Sequence, residues 1–175
     1  MEKLAIIING RPGSGKDSLC DAVIKQRRAG KISSIDPIAD IARKGGWDGI
    51  KSAASRKLLS DLKRIFSEYN DLPNRYVLEK YHEFLQSGDD ILFIHIREKD
   101  QIEDIQNKIF GRCVTLLIRR PGTEMAVGNP SDDEVEQFPY DFSYNNDKPL
   151  DQSESDFIEL CEKLYSGSSS ESAIQ

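Results

Sequence analysis

The sequence predicts an α/β fold in which helices cover both faces of a parallel sheet. Three observations carry that reading. Residues 4–8, 91–96 and 113–118 are near-continuous apolar runs, the pattern of strands buried on both faces. The stretches between them place apolar residues at helical spacing. The first run passes straight into a helix through a glycine-rich turn, Asn9-Gly10-Arg11-Pro12-Gly13-Ser14-Gly15. At 175 residues the chain fits one domain with a full core.

That turn organises the rest. Its spacing, Gly10-x-x-x-x-Gly15-Lys16, is that of a phosphate-binding P-loop (Walker A) up to the last position, where Asp17 replaces Ser or Thr. Glycines let successive backbone N–H groups point into one hollow, with no Cβ to block a phosphate. The helix that follows offers its unpaired N–H groups and positive dipole end to the same anion. Lys16 adds a mobile charge that can follow the β and γ phosphates. Gly10, Pro12, Gly13, Ser14, Gly15, Lys16, Asp17 and Ser18 are therefore the candidate nucleotide-binding residues. A carboxylate at Asp17 suits Mg²⁺, directly or through water. Without a cation it would repel the phosphates, so nucleotide binding is expected to depend unusually strongly on Mg²⁺. Ser18 lies about 100° around the helix and is poorly placed to supply the missing hydroxyl.

Composition narrows the classes. Hydrophobic residues make up 38% and charged residues 31%, as in soluble globular proteins. A net charge of −6 argues against binding a nucleic-acid polymer, which wants a basic excess. Cys20, Cys113 and Cys161 are far apart and sit inside apolar patterns, so they read as reduced core residues of a cytoplasmic protein. With only His82 and His95 besides, a structural metal site is not expected. No run reaches membrane-spanning length.

Along the chain, Leu19, Ala22 and Val23 mark one face of the first helix, with Gly30 as its stop. Residues 31–35 form a short strand, and Asp36-Pro37 supplies an N-cap and a first-turn proline for the next helix. Asp36 thus falls at the C-terminal end of a parallel strand, where open α/β sheets bind ligands. In a helix over 53–69, Leu58, Leu59, Leu62, Ile65, Phe66 and Tyr69 share a face, and Arg56 and Lys63 fall together on one of its edges. Edge positions can bury a stem while aiming charge into a cleft, which makes Arg56 and Lys63 anion-binding candidates. A further helix runs to Gly88. Strand 91–96 ends at Arg97-Glu98: Arg97 can fork onto a phosphate, and Glu98 can help hold Mg²⁺. His95 reads as a hydrogen-bonded core histidine. Ile102, Ile105, Ile109 and Phe110 form the next helix face. Strand 113–118 runs into Arg119 and Arg120, which suit a short lid over 119–139. A weaker strand covers 140–145, Ser153-x-x-Asp156 caps the last helix, and 167–175 reads as a disordered tail.

Lys16-Asp17 in place of Lys-Ser or Lys-Thr resembles a branch of P-loop kinases that includes phage deoxynucleoside monophosphate kinases and animal-type phosphomevalonate kinases. Arg56-x-Leu58-Leu59 is similar to a segment of the phage enzymes, and Arg97 stands where nucleoside monophosphate kinases place a phosphate-binding arginine. Asn145-Asn146-Asp147 resembles the loop near which nucleotide kinases bind adenine. The resemblance implies a three-layer P-loop NTPase fold of nucleotide-kinase type, with a five-stranded parallel sheet of order 2-3-1-4-5 over residues 1–166. It also implies a helical substrate-binding insert over 37–88. It implies ATP and Mg²⁺ as cofactors. Lys16, Arg97, Arg119 and Arg120 would be the catalytic group, with Asn145 on the nucleotide side. Asp36, Arg56, Lys63 and Arg97 would face a small phosphorylated acceptor, and Asp17 and Glu98 the metal. A (deoxy)nucleoside monophosphate heads the acceptors, with phosphomevalonate or dephospho-coenzyme A as alternatives. A non-catalytic ATP-binding switch is the other reading. Neither a polymer nor a membrane is expected as partner, and the protein would be a monomer or homodimer.

Overall fold

The computed structural model describes residues 2–50, 52–123 and 134–167. Five strands form one sheet: β1 (Leu4–Gly10), β2 (Ala29–Ser33), β3 (Ile91–His95), β4 (Arg112–Arg119) and β5 (Phe142–Asn145). Their order is β2-β3-β1-β4-β5, and every pairing is parallel, as expected. Among the described residues, six α-helices accompany them: α1 (Lys16–Gln26), α2 (Asp36–Lys44), α3 (Ala53–Asn70), α4 (Leu72–Gln86), α5 (Lys99–Lys108) and α6 (Leu150–Ser166). This is a P-loop NTPase fold of kinase type.

β1 lies at the centre and all seven of its residues are buried. Alternation along it divides the core in two. Leu4, Ile6 and Ile8 face Leu19 and Val23 of α1 and Phe157, Cys161 and Leu164 of α6. Ala5 and Ile7 face Val77, Tyr81 and Phe84 of α4 and Ile102 and Ile105 of α5. The helices α2 and α3 pack on one another and on α4, beyond the second face of the sheet. Because every strand runs the same way, all five C-terminal ends open onto one edge, which gathers the loops that follow them. Among the described residues, no helix is long and apolar enough to cross a membrane.

Several boundaries differ from the sequence expectation. β2 begins at Ala29, two residues early, because the Asp90 and Ile91 N–H groups both donate to the Arg28 carbonyl and bring β2 alongside β3. Gly30 is therefore a strand residue, and α1 ends in Arg27 with extended backbone. Asp36 is the first residue of α2 and not its cap, which is Ile35. α6 starts at Leu150 after Pro149, so Ser153 is inside it: its hydroxyl donates to the Lys148 carbonyl, and Asp156 pairs with Lys148. On α3, Leu58, Ile65 and Tyr69 are exposed, whereas Leu59, Leu62 and Phe66 are half-buried. Phe110 is exposed past the end of α5. Residues 124–133 of the expected lid over 119–139, and 168–175 of the expected tail over 167–175, lie outside the described residues. The three cysteines are free thiols, and burial pushes all three thiol pKa values up.

Candidate nucleotide-binding site

The loop between β1 and α1 is shaped by three of its glycines. A Cβ on Gly10 would stand 2.8 Å from the Ile118 carbonyl oxygen, so only glycine lets the chain leave β1 this close to β4. Gly13 (φ 81°) and Gly15 (φ 84°) take left-handed conformations that other residues reach at a cost. Between them the Ser14 N–H donates to the Arg11 carbonyl at 3.0 Å and closes a turn. Lys16 then opens α1, and no side chain caps that helix. A helix N-terminus of this kind carries the positive end of the helix dipole and N–H groups suited to an anion. The turn has the left-handed glycines and the uncapped helix start that the spacing predicts, and its chemistry fits a phosphate chain.

The loop is held from outside by two asparagines. Asn9 is fully buried. Its Oδ1 accepts from the Gly10 N–H at 2.8 Å, while its Nδ2 donates to the Arg97 carbonyl at 3.1 Å and to the Tyr140 hydroxyl at 2.8 Å. The Tyr140 hydroxyl donates in turn to the Val135 carbonyl at 2.8 Å. Burial pushes Tyr140 up to about 12, so it stays a neutral donor. One side chain thus ties the start of the loop to the end of β3 and to the short 3-10 helix Val135–Gln137. Asn146, just past β5, is also buried, and its Nδ2 donates to the Ser14 carbonyl at 2.8 Å. Asn145, the residue read from the sequence as facing the nucleotide, is exposed at the end of β5.

The chain after β4 leans over the same hollow. Arg120 Nη1 is 3.8 Å from where a Cβ on Gly15 would stand, and Thr123 Cγ2 is 3.7 Å from one on Gly13. Arg119 Nε lies 3.4 Å from Glu136, whose other carboxylate oxygen is 3.9 Å from Arg11 Nε. Glu136 therefore bridges a loop arginine and a strand-end arginine across the mouth of the site.

Asp17 sits in the first turn of α1 with its side chain 63% exposed, and Ser18 is exposed beside it. Among the described residues no group of three or more His, Cys, Asp or Glu side chains could enclose a metal. A single exposed carboxylate fits Mg²⁺, which keeps several waters and takes its remaining ligands from phosphates. His95 closes β3, and its Nδ1 lies 3.3 Å from Asp17 Oδ1. Burial lowers the imidazole to about 4, against the opposing pull of the Asp17 charge, so the ring is neutral near pH 7.

On the β2–β3 side the structure gathers Asp36, Lys63, Arg97 and Glu98 near the C-terminal strand ends, but not all of them are available. Asp36 Oδ2 accepts the Ser33 N–H at 2.7 Å, and half-burial raises its pKa despite that bond. Lys63 Nζ donates to Glu98 Oε2 at 2.5 Å, to Gln101 Oε1 at 2.9 Å and to Ser34 Oγ at 3.1 Å. Desolvation lowers Lys63 while Glu98 holds it up. The expected anion-binding lysine and the expected metal-binding glutamate therefore neutralise each other. They also fasten α3 to the turn after β2 and to the start of α5. Arg97 is half-buried where β3 ends. Arg56 is exposed two turns earlier on α3, roughly 10 Å from Lys63 at 1.5 Å per residue.

The sequence does not single out Asn9, Tyr140 or Glu136, and it offers Asn146 only as part of Asn145-Asn146-Asp147. Asn9 does carry a local signal, as a polar residue ending an apolar strand directly before Gly10. The others act across 130 residues or from a stretch with no periodic pattern.

No family description matches the sequence, and no curated protein matches it. Solved structures do match. TT1252 from Thermus thermophilus is 17% identical, with a TM-score of 0.53 over 94% of this chain and 99% of the other. Shikimate kinase from Bacteroides thetaiotaomicron is 12% identical, with a TM-score of 0.52 over 95% and 99%. A sugar kinase from Janibacter is 13% identical, with a TM-score of 0.51 over 93% and 95%. At these identities the likeness is one of fold, and it agrees with the P-loop kinase architecture seen here.

Proposed function

We propose that the protein is an ATP-dependent phosphotransferase that moves the γ-phosphoryl group of Mg-ATP to a small phosphorylated acceptor, in the first instance a (deoxy)nucleoside monophosphate. The observation that carries the reading is the uncapped α1 helix opening at Lys16 behind two left-handed glycines. Main-chain N–H groups and Lys16 would grip the ATP phosphates. When bound, Mg²⁺ neutralises phosphate charge, and Asp17 would hold it. Arg119 ends β4 and Arg120 follows it; both would close over the group being transferred, with catalysis by positioning and charge neutralisation. Arg97 would hold the acceptor's phosphate, with Arg56 approaching from α3 and Asp36 meeting its hydroxyl or base. The insert over 37–88 and the lid over 119–139 would bracket the acceptor and the nucleotide respectively.

The test is ADP release in a coupled assay over a panel of monophosphates that includes phosphomevalonate and dephospho-coenzyme A. Lys16→Ala should lower turnover at least 100-fold, by analogy with removing one preorganised donor. Turnover kept near the wild-type level in Lys16→Ala would refute the reading. ATP binding without acceptor-dependent turnover would point to a switch.

A further inference from the structure

The residue after Lys16 is a carboxylate, and the structure sets an imidazole against it. His95 pairs with Ile8 in the β1–β3 register, two residues before the loop begins at Gly10. The sheet thus fixes the ring under the start of α1. The side chain is nine-tenths buried, with Nδ1 at 3.3 Å from Asp17 Oδ1. The opposite nitrogen, Nε2, is buried and has no hydrogen-bond partner among the described residues. These two facts locate the ring proton. With the proton on Nε2, a buried N–H would lack an acceptor, and a bare Nδ1 lone pair would face an anionic oxygen. With it on Nδ1, the N–H faces Asp17. Two cations lie near the ring, Lys16 and Lys31, and Lys31 is bonded to Asp21.

We propose that His95 is the positioning residue for Asp17: its Nδ1–H holds Oδ1, so that Oδ2 is presented to the divalent cation accompanying a nucleoside triphosphate. The inference rests on the phosphotransferase reading to the extent that the loop takes a metal–nucleotide complex. It explains how a carboxylate can occupy the mouth of a phosphate cradle. Left to rotate, an exposed Asp17 would swing toward the phosphates and repel them. Held by one oxygen, it keeps its charge on the metal side. His95 touches neither nucleotide nor acceptor in this scheme. Nor is it a metal ligand, since Nδ1 carries the proton.

Calorimetric titration of the full chain with a non-hydrolysable ATP analogue, in Mg²⁺ and again in EDTA, tests this without turnover. His95→Ala should weaken binding about 10-fold in Mg²⁺, as loss of a partner behind a metal ligand does. It should change binding less than about twofold in EDTA. His95→Asn, whose Nδ2–H stands where Nδ1–H was, should restore most of the affinity. In the Asp17→Ser background, His95→Ala should have almost no effect. Equal losses with and without metal, or an undiminished loss in the Asp17→Ser background, would make His95 a packing residue and overturn the proposal. A preference for Mn²⁺ over Mg²⁺ that disappears in His95→Ala would make the imidazole a ligand and overturn it too. A wild-type protein that binds the analogue under neither condition would retire the phosphotransferase reading, and this inference with it.

Discussion

Gly15 is where the loop tolerates least, and the cost of Gly15→Ala can be built from two parts. The residue holds φ at 84°, where an L side chain costs roughly 1–2 kcal/mol. Its new Cβ would stand 2.4 Å from Asn146 Nδ2, which must move and give up its 2.8 Å bond to the Ser14 carbonyl. Losing that bond adds about 1 kcal/mol. The sum, about 2–3 kcal/mol, corresponds to a fall in melting temperature of roughly 4–12 °C for a domain of this size. The parts separate in a double-mutant cycle read by urea denaturation. Asn146→Ala alone should cost about 1 kcal/mol. Gly15→Ala introduced into Asn146→Ala should cost only the backbone part, leaving about 1 kcal/mol of coupling. Strict additivity, or a Gly15→Ala protein within 0.5 kcal/mol of wild type, would refute the claim that Asn146 braces the loop from above.

Two further outcomes follow from the β2–β3 side of the site. Asp36 has a raised pKa through half-burial, so folding disfavours its charged form. That penalty is absent below the unfolded carboxyl pKa near 3.9 and fully present above the raised folded value. Asp36→Asn keeps an acceptor for the Ser33 N–H, so its stability relative to wild type should improve between pH 3 and pH 7; a relative stability that worsens over that span would contradict the burial argument. In the Lys63–Glu98 pair the ammonium is the more buried partner, with the two side chains 13% and 39% exposed. Glu98→Ala strands a desolvated charge and should cost about 2 kcal/mol, whereas Lys63→Met leaves a carboxylate that can turn to water and should cost about 1 kcal/mol; denaturant midpoints in the reverse order would show the burial assignment to be wrong.

The parts of this architecture that can be read from sequence are those whose physics is local. An apolar run, a glycine turn and an amphipathic helix each announce themselves within some fifteen residues, which is why β1, the loop and α1 are legible down to Lys16. The sheet and its order also agree with the resemblance. What escapes is pairing at a distance. Arg56 and Lys63 look equivalent on a helical wheel, yet one is exposed and the other is bonded to Glu98 across 35 residues. His95 looks like a core residue, and it is buried as expected, but its facing Asp17 is set by the β1–β3 register, which no periodicity reveals. β2 and α6 start earlier than expected because Arg28 and Pro149 decide those boundaries through backbone contacts that propensity does not weigh.

Placing β1 in the middle of the sheet has a consequence for assembly. Its neighbours are β3 and β4, more than 80 residues further along the chain, and the brace over the cradle comes from Asn146. Until β3 and β4 are available, β1 and α1 have no surface on which to be laid, because loop closure over such separations precedes any reward from contact. The anion-holding turn is therefore among the later features to set, even though its residues precede all of their partners in the chain.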